Sequence, residues 1–180
     1  MHYRRLGTSN LQVSALCLGT MMFGDQTDQA EAAAIVAHAH AAGVNFIDTA
    51  DVYTHGASES MVGALIQPHR HDWVLATKLG NAMSKRPNEG QYSRIWMLRE
   101  VDASLRRLQT DHIDILYLHR DFPGIDLEEP LRALDDLVRA GKIRHWGLSN
   151  FRGWRIAEMV HGARRLNMPG PVVCQPYYNL

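Results

Sequence analysis

The chain has no long hydrophobic run, no net charge and almost no cysteine. No apolar segment approaches the roughly 20 residues that a membrane-spanning helix needs, although 46% of the 180 residues are hydrophobic. That content suffices for one domain with a buried core. The formal net charge of zero argues against a polyanionic partner such as nucleic acid. Because the first residues lack the apolar segment of a signal peptide, we expect a cytoplasmic protein without a membrane partner.

The cysteines and histidines show no metal-site spacing. Cys17 and Cys174 lie far apart in apolar segments, and we interpret them as reduced packing residues. His38 and His40 are two positions apart in a predicted helix, an arrangement that points their rings in different directions. Residues 69–72 (HRHD) read as a solvated loop before a strand. The sequence therefore predicts no metal site.

Apolar strands and amphipathic helices alternate along the chain after an N-terminal hairpin over residues 3–14. This alternation is typical of right-handed βαβ units and a parallel sheet. We predict one α/β domain over residues 1–180, a TIM (β/α)8-type parallel barrel that is incomplete, with about six strands and five helices. The predicted strands are 14–19, 45–47, 73–77, 113–118, 142–148 and 171–175, and the predicted helices are 28–42, 58–66, 94–108, 127–140 and 153–166.

Three successive predicted strands end in polar side chains. Asp48 ends the second strand, Lys78 the third and His119 the fourth, and Tyr53 follows Asp48 by five positions. In a parallel barrel the carboxyl ends of the strands meet on one rim, where such folds carry their active sites. Each residue alone has an ordinary structural explanation, as a loop cap, a packing residue or a solvated charge. Their common position on one rim points instead to a shared site.

These residue types suit carbonyl reduction. A phenol with a pKa near 10 is a poor proton donor at neutral pH, but a neighbouring ammonium favours the phenolate and lowers that pKa. Asp48 could keep Lys78 charged and oriented beside Tyr53, and His119 could hydrogen bond to a carbonyl oxygen. Since no side chain donates hydride, a nicotinamide cofactor is implied.

Several of these segments resemble the signatures of the aldo-keto reductase family, in the branch of bacterial general reductases and channel-associated β subunits. Residues 43–63 (GVNFIDTADVYTHGASESMVG) resemble its first signature, and residues 130–151 resemble its second. Ala76-Thr77-Lys78 resembles the lysine strand, residues 117–121 (YLHRD) the histidine strand, and residues 4–7 with 18–21 the family's opening. The likeness runs almost from end to end of the chain.

The resemblance implies an NADPH-dependent reduction of a small-molecule aldehyde or ketone, with NADH as a possible replacement. Tyr53 would be the proton donor, Asp48 and Lys78 its tuners, and His119 the group that orients the substrate. The implied cofactor contacts are Gly19, Thr20, Met21 and Asp48 near the nicotinamide ribose, and Ser149, Asn150 and Gln175 at the carboxamide. A Gly-x-Gly-x-x-Gly motif is not expected, because the family binds the nucleotide on a barrel rim.

The family's barrel has eight β/α units, whereas this chain supplies about six. The sequence leaves three explanations open: part of a longer enzyme, a short protein that self-associates through its open sheet edges, or a degenerate product. We expect the 180 residues alone to bind NADPH weakly, because the family's residues for the 2′-phosphate lie in the missing units. Two other functions also stay open: a nucleotide-binding regulatory subunit with little turnover, and a Schiff-base aldolase that uses Lys78.

Overall fold

A computed structural model describes residues 1–178 of the chain. Its strands are β1 Tyr3–Arg5, β2 Gln12–Ser14, β3 Leu18–Gly19, β4 Phe46–Asp48, β5 Val74–Leu79, β6 Ile113–Leu118, β7 Ile143–Ser149 and β8 Val173–Gln175. Its helices are α1 Gln29–Ala41, α2 Ala57–Ile66, α3 Arg94–Leu108, α4 Glu128–Arg139 and α5 Gly153–Arg165.

The sheet is parallel, and its strands follow one another in chain order. β1 and β2 form a separate antiparallel hairpin, whereas β3 to β8 pair successively as one six-stranded sheet. All five pairings within this sheet are parallel. A helix follows each of the strands from β3 to β7. The sheet curls into half of a barrel, which confirms the predicted incomplete (β/α)8-type fold.

The convex face of the sheet packs against the helices and forms the main core. Strand residues such as Leu75, Leu116 and Trp146 share one buried cluster with helix residues such as Met97 and Leu134. All five side chains are at most 1% exposed. Buried strands covered by amphipathic helices explain why the sheet reads as continuous apolar segments in the sequence.

The concave face carries a smaller apolar cluster that the hairpin covers. Phe46, Ala76, Ile115 and Tyr117 pack there with Val13 of β2. The hairpin is attached at the amino-terminal end of β4, where the Ser14 N–H donates to Asn45 Oδ1 at 2.7 Å. The hairpin predicted over residues 3–14 therefore closes the amino-terminal end of the half-barrel.

Two local predictions are wrong. The first barrel strand spans only Leu18–Gly19, because part of the predicted strand 14–19 belongs to the hairpin. Helix α2 begins at Ala57, one residue before the start predicted at Ser58, and its N-cap is Gly56 with φ 91°. A Cβ on Gly56 would lie 2.7 Å from Arg107 Cδ, so both the left-handed backbone and the close contact require glycine.

Both cysteines are also placed differently from the prediction. Cys17 and Cys174 are free and exposed, so neither is a buried packing residue. Cys17 immediately precedes β3 and Cys174 lies in β8, the two edge strands of the sheet among the described residues. Over residues 1–178, no helix has the length and apolar character needed to cross a bilayer.

Candidate active site

The four residues predicted to act together converge at the carboxyl ends of three adjacent strands. Asp48 is the last residue of β4, Lys78 lies near the end of β5, and His119 follows β6. Tyr53 begins the 3-10 turn Tyr53–Gly56 that follows β4. Adjacent parallel strands bring these positions together, because each strand ends on the same rim.

Lys78 connects the other members of this group. Its side chain is almost completely buried, with 1% exposure. The Nζ atom donates hydrogen bonds to Asp48 Oδ2, to the Thr49 carbonyl at 2.9 Å and to the Tyr53 hydroxyl at 3.3 Å. The three bonds match the three N–H donors of an ammonium group, so Lys78 is held as a fixed cation between a carboxylate and a phenol.

Burial governs the titration of Asp48. It raises the pKa of this carboxyl group, while the ammonium of Lys78 and the side chain of Gln175 act in the opposite direction. The Oδ2 atom accepts from Lys78, whereas Oδ1 is buried without a hydrogen-bond partner among the described residues. A buried acceptor without a donor is costly, and a ligand hydroxyl could satisfy it.

His119 lies against the edge of Tyr53 and is neutral at physiological pH. The two ring centroids are 5.8 Å apart and the ring planes are nearly perpendicular. Burial, together with the nearby cations of Lys78 and Arg120, lowers the pKa of His119 to about 4. Its Nδ1 atom is buried without a partner in the part of the chain that the structure describes. A neutral imidazole with a free ring nitrogen can hydrogen bond to a carbonyl oxygen.

The residues predicted to hold the nicotinamide carboxamide also lie together. Asn150 Nδ2 donates to Ser149 Oγ at 3.1 Å and to the His119 carbonyl at 3.2 Å. Ser149 Oγ donates to Gln175 Oε1 at 3.5 Å. Asn150 has φ 57°, a left-handed conformation that asparagine adopts more readily than most residues. This amide cluster joins the ends of β7 and β8 to His119.

The residues predicted to contact the nicotinamide ribose lie on the loop after β3. Thr20 is buried, and its N–H and Oγ1 both donate to the Asp48 carbonyl at 3.0 Å. Met21 is 59% exposed, and no atom lies within 4 Å of the position that a Cβ of Gly19 would take. Thr20 thus fixes the backbone of Asp48, while Gly19 and Met21 leave space beside it.

A cavity of about 620 Å³ opens next to these groups, with His119 and Asn150 in its lining. A nicotinamide riboside would suit three features of this site. It would offer a hydroxyl to Asp48 Oδ1, occupy the open space beside Gly19 and present its carboxamide to the amide cluster. The residues present therefore fit the cofactor that the sequence predicted.

A buried charge network between α2 and α3 could not be predicted from the sequence. Arg107 pairs with Glu59 Oε2 at 2.6 Å and with Glu100 Oε1 at 2.5 Å. Glu59 is completely buried and also accepts from Thr77 Oγ1 at 2.6 Å. In the sequence, Glu59 falls in the predicted helix 58–66 and in the segment that resembles the first family signature, and in the structure it lies in the first turn of α2. Its true partner is 48 positions away, and no local pattern signals such a pair.

The profile of the Aldo/keto reductase family matches residues 15–180. The chain belongs to this family. The match covers the six strands of the parallel sheet, β3 to β8, and all ten site residues described above. Membership supports a general oxidoreductase role for the protein.

Curated relatives of this aldo/keto reductase chain include both channel subunits and oxidoreductases. A "Probable voltage-gated potassium channel subunit beta" from Arabidopsis thaliana is 38% identical over 184 residues, which cover 100% of this chain and 56% of that protein. "Uncharacterized oxidoreductase YqkF" from Bacillus subtilis is 40% identical over 163 residues, 89% of this chain and 52% of that protein. "Aldo-keto reductase AMT2" from Alternaria alternata is 33% identical over 210 residues, 99% of this chain and 57% of that protein. The chain spans about half the length of these relatives.

Proposed function

We propose that this protein reduces aldehydes or ketones to alcohols with NADPH, and that Tyr53 is the proton donor. The observation that carries the proposal is the position of Lys78 Nζ, which bonds to both Asp48 and the Tyr53 hydroxyl. A cation that donates a hydrogen bond to a phenolic oxygen stabilises the phenolate formed when the proton leaves. This is the arrangement that proton donation by a tyrosine requires.

The proposed reaction divides into a proton transfer and a hydride transfer. When bound, the reduced nicotinamide supplies the hydride that attacks the carbonyl carbon. Tyr53 gives its hydroxyl proton to the carbonyl oxygen, so the carbonyl gains two electrons and one further proton and becomes an alcohol. Lys78 stabilises the resulting phenolate, and Asp48 keeps Lys78 in place. The two electrons would come from the bound nicotinamide nucleotide.

His119 and the amide cluster would position the reactants. The neutral imidazole of His119 can hydrogen bond to the carbonyl oxygen next to Tyr53. Ser149, Asn150 and Gln175 would hold the carboxamide of the nicotinamide. Gly19, Thr20 and Met21 would border its ribose, and Asp48 Oδ1 would accept a ribose hydroxyl.

A regulatory subunit that binds the nucleotide without turnover is the second candidate. It is favoured by the likeness to proteins described as probable potassium channel β subunits. It differs from the first candidate in one measurable respect, because it predicts nucleotide binding without consumption of NADPH in the presence of a carbonyl compound.

The geometry of Lys78 argues against a Schiff-base aldolase. A nucleophilic amine must be neutral and have a free lone pair. All three donor positions of Lys78 are engaged, and the side chain is 1% exposed. Borohydride with a carbonyl substrate should therefore leave Lys78 unmodified.

The proposal is tested by mixing the purified protein with NADPH and nitrobenzaldehyde and following the loss of nicotinamide absorbance. We expect turnover, and we expect Tyr53→Phe to reduce it by about 10³-fold while nucleotide binding, measured by calorimetry, changes little. Tyr3→Phe is the matched control, because it removes a phenolic hydroxyl that bonds to the Gly43 carbonyl at the other end of the sheet.

The outcomes separate the candidates. Undiminished turnover by Tyr53→Phe contradicts the role of Tyr53. Nucleotide binding without any turnover by the wild-type protein supports the regulatory subunit instead. The prediction that the 180 residues bind NADPH weakly belongs to this proposal, and submicromolar affinity would contradict it. Self-association through β3 and β8 and a cytoplasmic location stay predictions.

A further inference from the structure

Two histidines and an aspartate meet at the end of the sheet opposite the candidate active site. His40 lies in the last turn of α1, while His69 and Asp72 lie in the 3-10 segment Gln67–Asp72 just before β5. Each of these residues offers one ligand atom, and the three atoms lie within 4.8 Å of one another. We propose that His40, His69 and Asp72 form a binding site for a divalent transition metal of the zinc type.

The distances fit a single ion. His40 Nε2 is 3.0 Å from Asp72 Oδ2, and His69 Nδ1 is 3.7 Å from the same oxygen. Tetrahedral zinc, with bonds of about 2.0 to 2.1 Å, separates its ligand atoms by roughly 3.3 Å. The two distances from the carboxylate oxygen to the imidazole nitrogens are therefore close to those around a coordinated ion, and the two nitrogens lie within 4.8 Å of each other.

The donor set selects the class of metal. Two imidazole nitrogens and one carboxylate oxygen suit Zn²⁺ and neighbouring transition metals. Mg²⁺ and Ca²⁺ prefer sets made only of oxygen. The three side chains are between 34% and 60% exposed, so water can supply the fourth ligand.

The backbone around the site is fixed before any ion binds. Arg70 donates to the Trp73 carbonyl at 2.9 Å, to the His112 carbonyl at 3.0 Å and to Asp114 Oδ2 at 2.8 Å. These bonds attach the segment that carries His69 and Asp72 to the start of the neighbouring strand. The ring of His40 packs at 5.6 Å from the buried Trp73. The rings of His40 and His69 are stacked with their centroids 4.9 Å apart, so binding requires rotation of these partly exposed side chains toward the ion.

The sequence alone could not reveal this site. His40 is 32 residues from Asp72, and the nearer pattern of His38 and His40 points the two rings apart. Only the packing of α1 beside the start of β5 brings the ligands together. A bound ion would connect α1 to that segment and stabilise the folded protein, since the unfolded chain lacks the preformed site.

The test is a titration of the metal-free protein with Zn²⁺, followed by calorimetry and by the midpoint of thermal unfolding. We expect one tight site and a higher midpoint with Zn²⁺, and no change with Mg²⁺ at the same concentration. His40→Ala and His69→Ala should each weaken Zn²⁺ binding at least about tenfold. Co²⁺ should give the intense visible absorption of a tetrahedral complex in the wild-type protein but not in His69→Ala.

His38→Ala and His71→Ala are the matched controls, because each removes an exposed histidine adjacent to the site without removing a ligand. Both should bind Zn²⁺ like the wild type. Circular dichroism checks that every variant is folded, and His69 is 60% exposed, so its replacement spares the core. Wild-type affinity in His40→Ala and His69→Ala, or an equal loss in the two controls, would overturn the proposal.

Discussion

The two faces of the half-barrel sheet have different composition and different surroundings. The convex face presents apolar side chains that the helices cover, and its cluster includes residues from every helix. The concave face has a small apolar cluster near the hairpin and then charged and polar groups towards the opposite rim. Lys78 points to this rim, while its neighbours Thr77 and Leu79 are buried on the other side of the strand.

The difference follows from the alternation of side chains along a strand. Successive residues of one strand serve opposite purposes, so a single segment such as β5 contributes both to the core and to the site. Substitutions on the convex face should lower the free energy of unfolding, and substitutions on the concave rim should lower kcat. The following predictions test that division.

The largest effect is expected for Lys78→Met on the concave rim. Loss of the ammonium removes the stabilisation of the Tyr53 phenolate, so kcat for carbonyl reduction should fall by more than about 10³-fold. The free energy of unfolding should fall by less than the loss of an ion pair would suggest. Burial already raises the pKa of Asp48, so its carboxyl group can take up a proton when Lys78 is absent. Steady-state kinetics and urea unfolding measure the two effects.

Lys142→Met is the control for this substitution, because it breaks a partly exposed ion pair with Asp102 that is remote from the rim. It should leave kcat unchanged. A Lys78→Met enzyme with wild-type kcat would remove the distinction between the two faces.

Leu134→Ala on the convex side should produce the opposite result. Leu134 is completely buried in α4, and removal of its side chain leaves a cavity that costs about 4 kcal/mol of the free energy of unfolding. The kcat of the folded protein should stay the same. Leu16→Ala, at a position that is 63% exposed, should cost less than about 0.5 kcal/mol. Equal costs at the two positions would contradict the assignment of the core.

His119, on the concave rim, should make the free energy of unfolding depend on pH. Its pKa is about 4 in the folded protein, compared with about 6.5 for an unperturbed histidine. Between these values the unfolded state binds the proton and the folded state does not. The free energy of unfolding therefore decreases as the pH falls through this window, by about 3 kcal/mol in total from this residue.

The His119→Asn variant should lack this pH-dependent contribution to the free energy of unfolding. Urea unfolding at pH 7 and pH 4 should show a smaller loss of stability in the variant than in the wild type. His71→Asn, at an exposed position outside the rim, is the control and should follow the wild-type curve. Parallel curves for wild type and His119→Asn would show that His119 is not buried as described.

The smallest effect is expected at the solvent-exposed surface of α4. Arg132 pairs with Glu128 one turn earlier, and the two side chains are 60% and 41% exposed. Arg132→Ala should change the free energy of unfolding by less than about 0.5 kcal/mol, and salt should reduce the difference. A cost close to that of Leu134→Ala would mean that surface pairs contribute as much as the core.

Two elements with strong local signals were predicted to the residue. Helix Arg94–Leu108 and strand Ile113–Leu118 agree with their predicted bounds, because an apolar stripe and a continuous buried segment are local signals. Strand β3 was predicted too long, since an edge strand pairs only where its neighbour extends. The limits of β3 therefore depend on β4 and not on its own residues.

The candidate site shows the same division between local and distant information. The meeting of Asp48, Lys78 and His119 could be predicted, because strand ends in a parallel sheet share one rim. Their chemical roles stay predictions until kinetics test them. The pairing of Glu59 with Arg107 could not be predicted, because it depends on how α2 packs against α3.

The buried carboxyl group of Asp51 keeps its proton in the folded chain at pH values where an exposed aspartate has lost it. Asp51 is completely buried, and neither of its oxygens has a partner among residues 1–178. Burial raises its pKa well above the usual range, and the charges of Glu59 and Glu100 raise it further. At pH values between the ordinary pKa of an aspartate and the raised pKa of Asp51, the unfolded chain releases this proton while the folded chain keeps it, so unfolding acidifies the solution. The calorimetric heat of unfolding should consequently depend on the ionisation enthalpy of the buffer.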